Sequence, residues 1–385
     1  MPTMRDSSLV ELASDLIRIP SPSGREEEVA RRLLEAFVQL GFDESYIDAA
    51  GNAIGVLDRG PGPVVVFNGH IDTVPFGDES LWPYPPLGGV VADSRLWGRG
   101  ACDMKSAIAC MAFAARDAAE VGFSGTLMVT AVVQEEVGGL GARHLSQTLK
   151  PDLFILGEPS ELKLMLGHRG RVEVEVGFPG RIAHAAKSEL GDNALYHVAR
   201  FLTGLEKLDL PKGGWLKAST VTPTNLRSFP EESANVVPGA ARLTVDYRNI
   251  FGDEPEAILT RLEKLAPEAE FQIPVEQAVS ESGGVRLSFP RINPPYLLAE
   301  DHPAVEKARK VLAEKLPASG IPFCEGSWWF ATDAPHLALS GAPVIGCGPG
   351  NPELAHTTSE NVPLEHLHVA RGAYKALALA FLEER

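Results

Sequence analysis

The sequence predicts a mixed α/β catalytic domain interrupted by an inserted α+β domain, and three observations predict it. In residues 1–169, short and almost wholly apolar segments alternate with helix-patterned ones, as in a sheet buried on both faces. Residues 170–290 switch to strands of alternating polarity with two amphipathic helices, the pattern of an antiparallel sheet covered on one face. After residue 290 the first texture resumes, so the catalytic domain reads as 1–169 plus 291–385 around an insert at 170–290. A chain of 385 residues is long enough to bury a core in each part.

Ser8 and Glu11 stand at capping-box spacing, and Leu9, Leu12, Leu16 and Ile17 repeat at helical intervals, so a first helix is expected to open at Ser8 and close before Pro20. A second is expected over 25–40, ended by Gly41. Strands follow at 53–57 and 63–68, the latter central because it is nearly all Val and Phe. A small-residue helix at 104–119, a buried strand at 125–133, a helix at 140–149 and a strand at 153–156 complete the first part. In the insert, strands are expected at 171–178, 219–227, 241–248 and 270–275, and helices at 193–208 and 254–265. A helix at 303–315, a strand at 343–345 and a last helix at 364–382 return to the first domain, and Trp328 and Trp329 read as core residues.

Acidic residues outnumber basic ones, 51 against 35, for a net charge of −16, a surface that repels nucleic acid and anionic lipid. No partner of either kind is expected. Cys102, Cys110, Cys324 and Cys347 form no CxxC pair and read as reduced thiols. With no signal-like start and no apolar run of spanning length, a cytoplasmic location is expected.

Five segments gather the acids and histidines, most of them where strands end. Gly69-His70-Ile71-Asp72-Thr73-Val74-Pro75 follows a buried strand, and Asp72 is positioned to accept the second N–H of the His70 imidazole, a pairing common at zinc sites. Asp103 lies in Gly98-Arg99-Gly100-Ala101-Cys102-Asp103-Met104-Lys105-Ser106 at a helix start; the glycine that a phosphate loop needs immediately before Lys-Ser is missing. Gln134-Glu135-Glu136 brings adjacent carboxylates to a strand end, where they repel unless cations sit nearby. Glu158 in Leu156-Gly157-Glu158-Pro159-Ser160 repeats the theme, and Ala355-His356-Thr357-Thr358-Ser359-Glu360 supplies a second histidine. Taken singly, each segment also admits a structural reading as a polar pair, an N-cap or a surface turn. Together, two His, one Asp and two Glu form a ligand set suited to two zinc or cobalt ions, with the Asp able to bridge. Three carboxylates and a bridging hydroxide would neutralise two divalent ions, leaving one glutamate spare for general-base work beside a water activated by the metals.

The ordered set GHIDTVP, GRGACDMK, EEVGG, GEPS and AHTTSE resembles the dizinc metallohydrolases that include acetylornithine deacetylase, succinyl-diaminopimelate desuccinylase, aminoacylase and glutamate carboxypeptidase. The resemblance spans essentially the whole chain and implies a zinc-peptidase-like catalytic domain with a lid and dimerisation insert. It implies that His70, Asp103 and Glu158 hold one metal and Asp103, Glu136 and His356 the other, with Glu135 as general base and Asp72 orienting His70. It implies that His184, in Arg181-Ile182-Ala183-His184, reaches the partner's site in a homodimer, and that Asn235 and Arg248 engage the substrate carboxylate or the oxyanion. Phe330-Ala331-Thr332-Asp333-Ala334-Pro335 looks more like the acetylornithine deacetylase branch than the desuccinylase branch. The expected activity is removal of a small acyl group from an N-acyl amino acid, with cleavage of a dipeptide or short peptide as the alternative. A serine hydrolase is disfavoured because GxSxG is absent, and a Cys102 nucleophile because Asp103 would suppress its thiolate. An inactive metal- or amino-acid-binding protein is disfavoured because every ligand is kept together with Glu135.

Overall fold

The computed structural model describes residues 4–231 and 233–382, with side chains described from residue 8 onward. Among the described residues, nine strands form the large sheet. Its order runs Glu44–Ile47, Ala53–Asp58, Thr126–Val132, Val64–His70, Leu153–Leu156, Val344–Gly346, Leu164–His168 and Tyr296–Leu297, with Glu325–Trp328 also on Leu164–His168. The four central strands, from Thr126–Val132 to Val344–Gly346, are parallel. Alternation explains the double burial. Val65 and Phe67 point into a core shared with Ile108, Met111, Leu367 and Tyr374, whereas Val66 points into a second core with Leu145, Phe154, Trp328 and Leu337. Helices Met4–Arg18, Lys105–Val121 and Leu364–Leu382 cover the first face, and Leu140–Thr148 and Ala334–Ala338 the second.

The insert has its own core. Strands Thr220–Phe229, Ala240–Arg248, Arg171–Pro179 and Glu270–Gln272 lie antiparallel in that order, with Ile292–Asn293 also on Arg171–Pro179. Val172, Val174, Val176 and Phe178 alternate inward against Val198 and Phe201 of helix Ala194–Leu205 and Ile258 and Leu262 of helix Pro255–Glu263. This is the two-helix, one-face layer expected. Asn193 caps the first of these helices, its Oδ1 accepting from the Leu195 N–H at 3.0 Å.

Several local expectations need correction. The first helix already includes Met4, so Ser8 lies within it and is not its cap. The strand expected at 270–275 ends at Gln272, because Pro274 has no N–H to give to a ladder; Val275–Val279 pairs instead with Arg286–Pro290 in a separate hairpin. That hairpin places Ala278 and Phe289 in the large core, not in the insert's. Trp328 is a core residue as expected, but Trp329 is 55% exposed, since its neighbour takes the one inward position at that strand end. All four cysteines are free thiols. Among the described residues, no helix is long and apolar enough to cross a membrane.

Candidate two-metal active site

The parallel strands deliver the site at their carboxyl ends, where α/β sheets place functional groups. His70 ends Val64–His70, Glu135 and Glu136 follow Thr126–Val132, and Glu158 follows Leu153–Leu156. Asp103 stands just before helix Lys105–Val121, which enters over the strand ends because glycines leave room for it. A Cβ on Gly69 would lie 2.5 Å from Met104 Cε, and one on Gly157 would lie 2.9 Å from the same atom. Glycine at these two positions lets the Met104 side chain pack directly on the strand ends beside Asp103.

The carboxylate of Asp103 is divided between two histidines. Its Oδ1 is 2.9 Å from His70 Nε2, and its Oδ2 is 3.2 Å from His356 Nε2. Glu158 Oε1 lies 3.9 Å from His70 Nε2, and Glu136 Oε1 lies 3.0 Å from His356 Nε2. Two groupings of potential ligand atoms result, His70 with Glu135 and Glu158, and His70 with Asp103 and Glu136, each within 4.8 Å. The His70 Nδ1–H donates to the main-chain carbonyl oxygen of Asp72 at 3.0 Å, which turns the other ring nitrogen toward the acids.

Asp72 acts mainly elsewhere than expected. Its carboxylate Oδ1 is 3.5 Å from His70 Nδ1, farther than its own carbonyl, because the chain turning off the strand faces the carbonyl to the ring. The buried carboxylate instead accepts from the Glu135 N–H at 3.0 Å, the Glu136 N–H at 3.2 Å and the Ser23 hydroxyl at 2.7 Å. It thus holds the backbone of the paired glutamates.

The charge balance shows what the site suits. Burial pushes the Glu135 and Glu158 carboxyls well above the usual range, reinforced by Asp333 and Glu158 for Glu135 and by Asp103 for Glu158. Burial also raises Glu136, against the bond from His356. Bonds to Asp103 and Glu136 push His356 up to about 10. Burial opposes protonation of His70, but the bonds to Asp103 and Asp72 and the nearby acids outweigh it and raise this imidazole well above its ordinary value. Asp103 is held below the usual carboxylate range because the two histidines overcome the opposing effect of burial. Four acids that share two imidazoles, largely out of water, form an under-neutralised cluster of hard and borderline donors that fits divalent cations.

Sequence reasoning missed several members. Glu26 is fully buried, accepts from the Gly24 N–H at 2.8 Å and the Gln134 N–H at 3.2 Å, and is pushed up to about 8 by burial and by the charge of Asp72. Gln134 Nε2 donates to the Val279 carbonyl oxygen at 2.8 Å, which ties the glutamate loop to the hairpin. Burial pushes Asp333, whose charge faces Glu135, up to about 7. Glu26 lies in a helix-patterned run and Gln134 beside the motif acids, so nothing in their spacing marked them. The Cys102 thiol is buried and pushed well up by burial and by Glu360 and Asp103, which leaves it no thiolate.

The three insert residues stand apart from this cluster. His184 is exposed, and its Nδ1 accepts from the Ala186 N–H at 3.0 Å. Asn235 is its neighbour, its carbonyl oxygen accepting from the Ala185 N–H at 2.9 Å. Arg248 is paired with Asp246, at 2.6 Å from Nε and 3.1 Å from Nη2.

Paired carboxylates, two histidines and a shared aspartate gathered over the carboxyl ends of the central parallel strands are the donor set of a metal-dependent hydrolase. Residues 66–380 match the model of Peptidase family M20/M25/M40, and the chain belongs to this family. It is an enzyme, a metallohydrolase of amide bonds. It is 32% identical to acetylornithine deacetylase of Myxococcus xanthus over 359 residues, 88% of this chain and 87% of that one. Its fold is shared with aminopeptidase PepT from Bacillus cereus (TM-score 0.73, 21% identity, 98% of each chain covered). It is also shared with the Bacillus subtilis YXEP protein, described as a dinuclear metal-binding peptidase of the M20 family (TM-score 0.70, 17% identity, 98% of each chain covered).

Proposed function

We propose that this enzyme removes a small acyl group from an N-acyl amino acid, in the manner of acetylornithine deacetylase. The observation that carries the chemistry is the split Asp103 carboxylate, one oxygen toward His70 and the other toward His356. His70, Asp103 and Glu158 would hold one divalent ion and Asp103, Glu136 and His356 the other, zinc or cobalt by the donor set. Bound there, two divalent ions would supply Lewis acidity toward the scissile carbonyl and the attacking water. Glu135 then serves as general base, taking the proton of the attacking water on its carboxylate and passing it to the leaving nitrogen. The acyl specificity draws support from the similarity to a deacetylase. A screen of N-acetyl, N-succinyl and dipeptide substrates with zinc, cobalt and manganese tests it. The highest kcat/KM is expected for an N-acetyl amino acid, and a dipeptide preferred over every acylated substrate would reassign the enzyme as a peptidase.

The insert serves as a lid and as the contact of a homodimer. Strand Thr220–Phe229 is the edge of its sheet, and an open groove of about 680 Å³ beside it is lined by Arg181, Ile182, Phe229 and Pro230. Ile182 is 62% exposed and Phe229 37%, an apolar pair at an unpaired edge that a second copy would cover. His184 and Asn235 lie near this edge, in keeping with delivery of His184 to the partner's site, and Arg248 would exchange Asp246 for the substrate carboxylate or the oxyanion on closure. Mixing inactive Glu135→Gln and His184→Ala subunits is expected to regenerate activity, because one site per heterodimer then has both groups intact. No recovery despite verified subunit exchange would confine His184 to its own chain. The free cysteines and the small polar substrate agree with a cytoplasmic location.

A further inference from the structure

One buried ion pair outside the ligand set ties the segments of the site together. Glu360 is fully buried, and its Oε1 accepts three main-chain N–H groups, from Gly100 at 2.9 Å, Cys102 at 3.0 Å and Asp103 at 3.1 Å. Its Oε2 is paired with Arg99 Nη1. Arg99 is itself buried, lies 5.1 Å over the Trp82 ring and donates from Nη2 to the Pro75 carbonyl oxygen at 3.4 Å. The Glu360 carbonyl oxygen accepts from the Gly98 N–H at 3.2 Å, and the next residue, Asn361, pairs in register with Trp97. Loop 98–104 turns at Gly100, at φ +86°, and is otherwise short of regular ladder bonds. The two-metal reading makes no use of Glu360 or Arg99.

We propose that Glu360 is a positioning residue for the bridging aspartate, and that with Arg99 it locks together the segments carrying His70, Asp103 and His356. The inference rests on the two-metal reading. A carboxylate can bridge two ions only if both oxygens are aimed, and the aim of Asp103 depends on where its backbone sits. One oxygen of Glu360 fixes that backbone directly, from a position four residues after His356. Ligand and bridge therefore move as one piece. Arg99 faces the second Glu360 oxygen and orients the carboxylate, and its reach to Pro75 extends the lock to the turn after His70 and Asp72.

Two substitutions separate this role from ordinary structural support. Glu360→Asp keeps the charge facing Arg99 but draws the acceptor back by roughly 1.5 Å from the three N–H groups. Glu360→Gln keeps an oxygen on those groups but leaves the buried guanidinium without a counter-charge. Cobalt is titrated into each metal-stripped protein, with affinity read by chelator competition, geometry by the visible absorption bands and stability by thermal unfolding. The Asp variant is expected to bind both ions about 10- to 100-fold more weakly, with altered bands, the size seen when outer partners of metal ligands are removed. The Gln variant is expected to stay closer to the parent in affinity and bands while unfolding at a lower temperature. An Asp variant with parental affinity and bands would overturn the proposal, as would a Gln variant that loses more affinity than Asp. Should the Asp variant fail to fold, Gln alone decides, since loss of both ions in it would overturn the proposal and near-parental binding would support it. A parent chain that takes up no cobalt would sink the two-metal reading itself, and the inference with it.

Discussion

Glu135→Gln is expected to keep both metals and lose about 100- to 10,000-fold in turnover, the worth of a positioned general base. The backbone of residue 135 is held by Asp72 through its N–H at 3.0 Å, a bond indifferent to the side chain. Gln is also close to Glu in shape, so the change removes proton-accepting power and little else. His356 bonds to Glu136 and not to Glu135, so of the two adjacent glutamates Glu136 is the one engaged by the second histidine. Burial and the facing charges of Asp333 and Glu158 hold the Glu135 carboxyl well above the range of a surface glutamate. Metal content and kcat measured on the same preparation check this. Loss of metal in Glu135→Gln, with retention in Glu136→Gln, would exchange the two roles.

Chelation is expected to abolish activity, and added zinc or cobalt to restore it. Asp103, Glu136 and Glu158 crowd against two histidines in a largely buried site, and without divalent ions only protons offset their repulsion. Metal binding must displace those protons, so reconstitution should weaken as the pH falls. Ions that bind the folded chain alone should also raise the unfolding temperature in proportion to the logarithm of their concentration. Full activity in a preparation shown to be metal-free would end this reading.

The parts of the molecule that repeat a period were legible in the sequence. Helix Leu364–Leu382 and strand Leu153–Leu156 lie at the expected positions, because apolar patterning and clear breakers bound them. Glu135, Glu136 and Glu158 were visible because each follows an apolar strand at which a lone charge has no other support, and Asp103 because it stands at a helix start. Features set by main-chain direction were not visible. The sequence shows Asp72 two residues from His70, but not that its carbonyl, rather than its carboxylate, sits closer to the ring. Glu26, distant in sequence, reaches the glutamate loop only through the packing of its helix. The hairpin Val275–Pro290 falls inside the bounds expected for the insert, where no strand is expected beyond residue 275. Only tertiary contact shows that Phe289 belongs to the larger core and that Val279 receives the Gln134 side chain.

The sharing of Asp103 by two ions is the point on which the chemistry turns. Elemental analysis of zinc-reconstituted protein after exhaustive dialysis measures it directly, with Asp103→Ala analysed alongside. Two zinc ions per parent chain and nearly none in the Asp103→Ala chain are expected, since the bridge belongs to both ligand sets. A parent chain holding a single ion, or an Asp103→Ala chain that still holds two, would contradict a bridged two-metal centre.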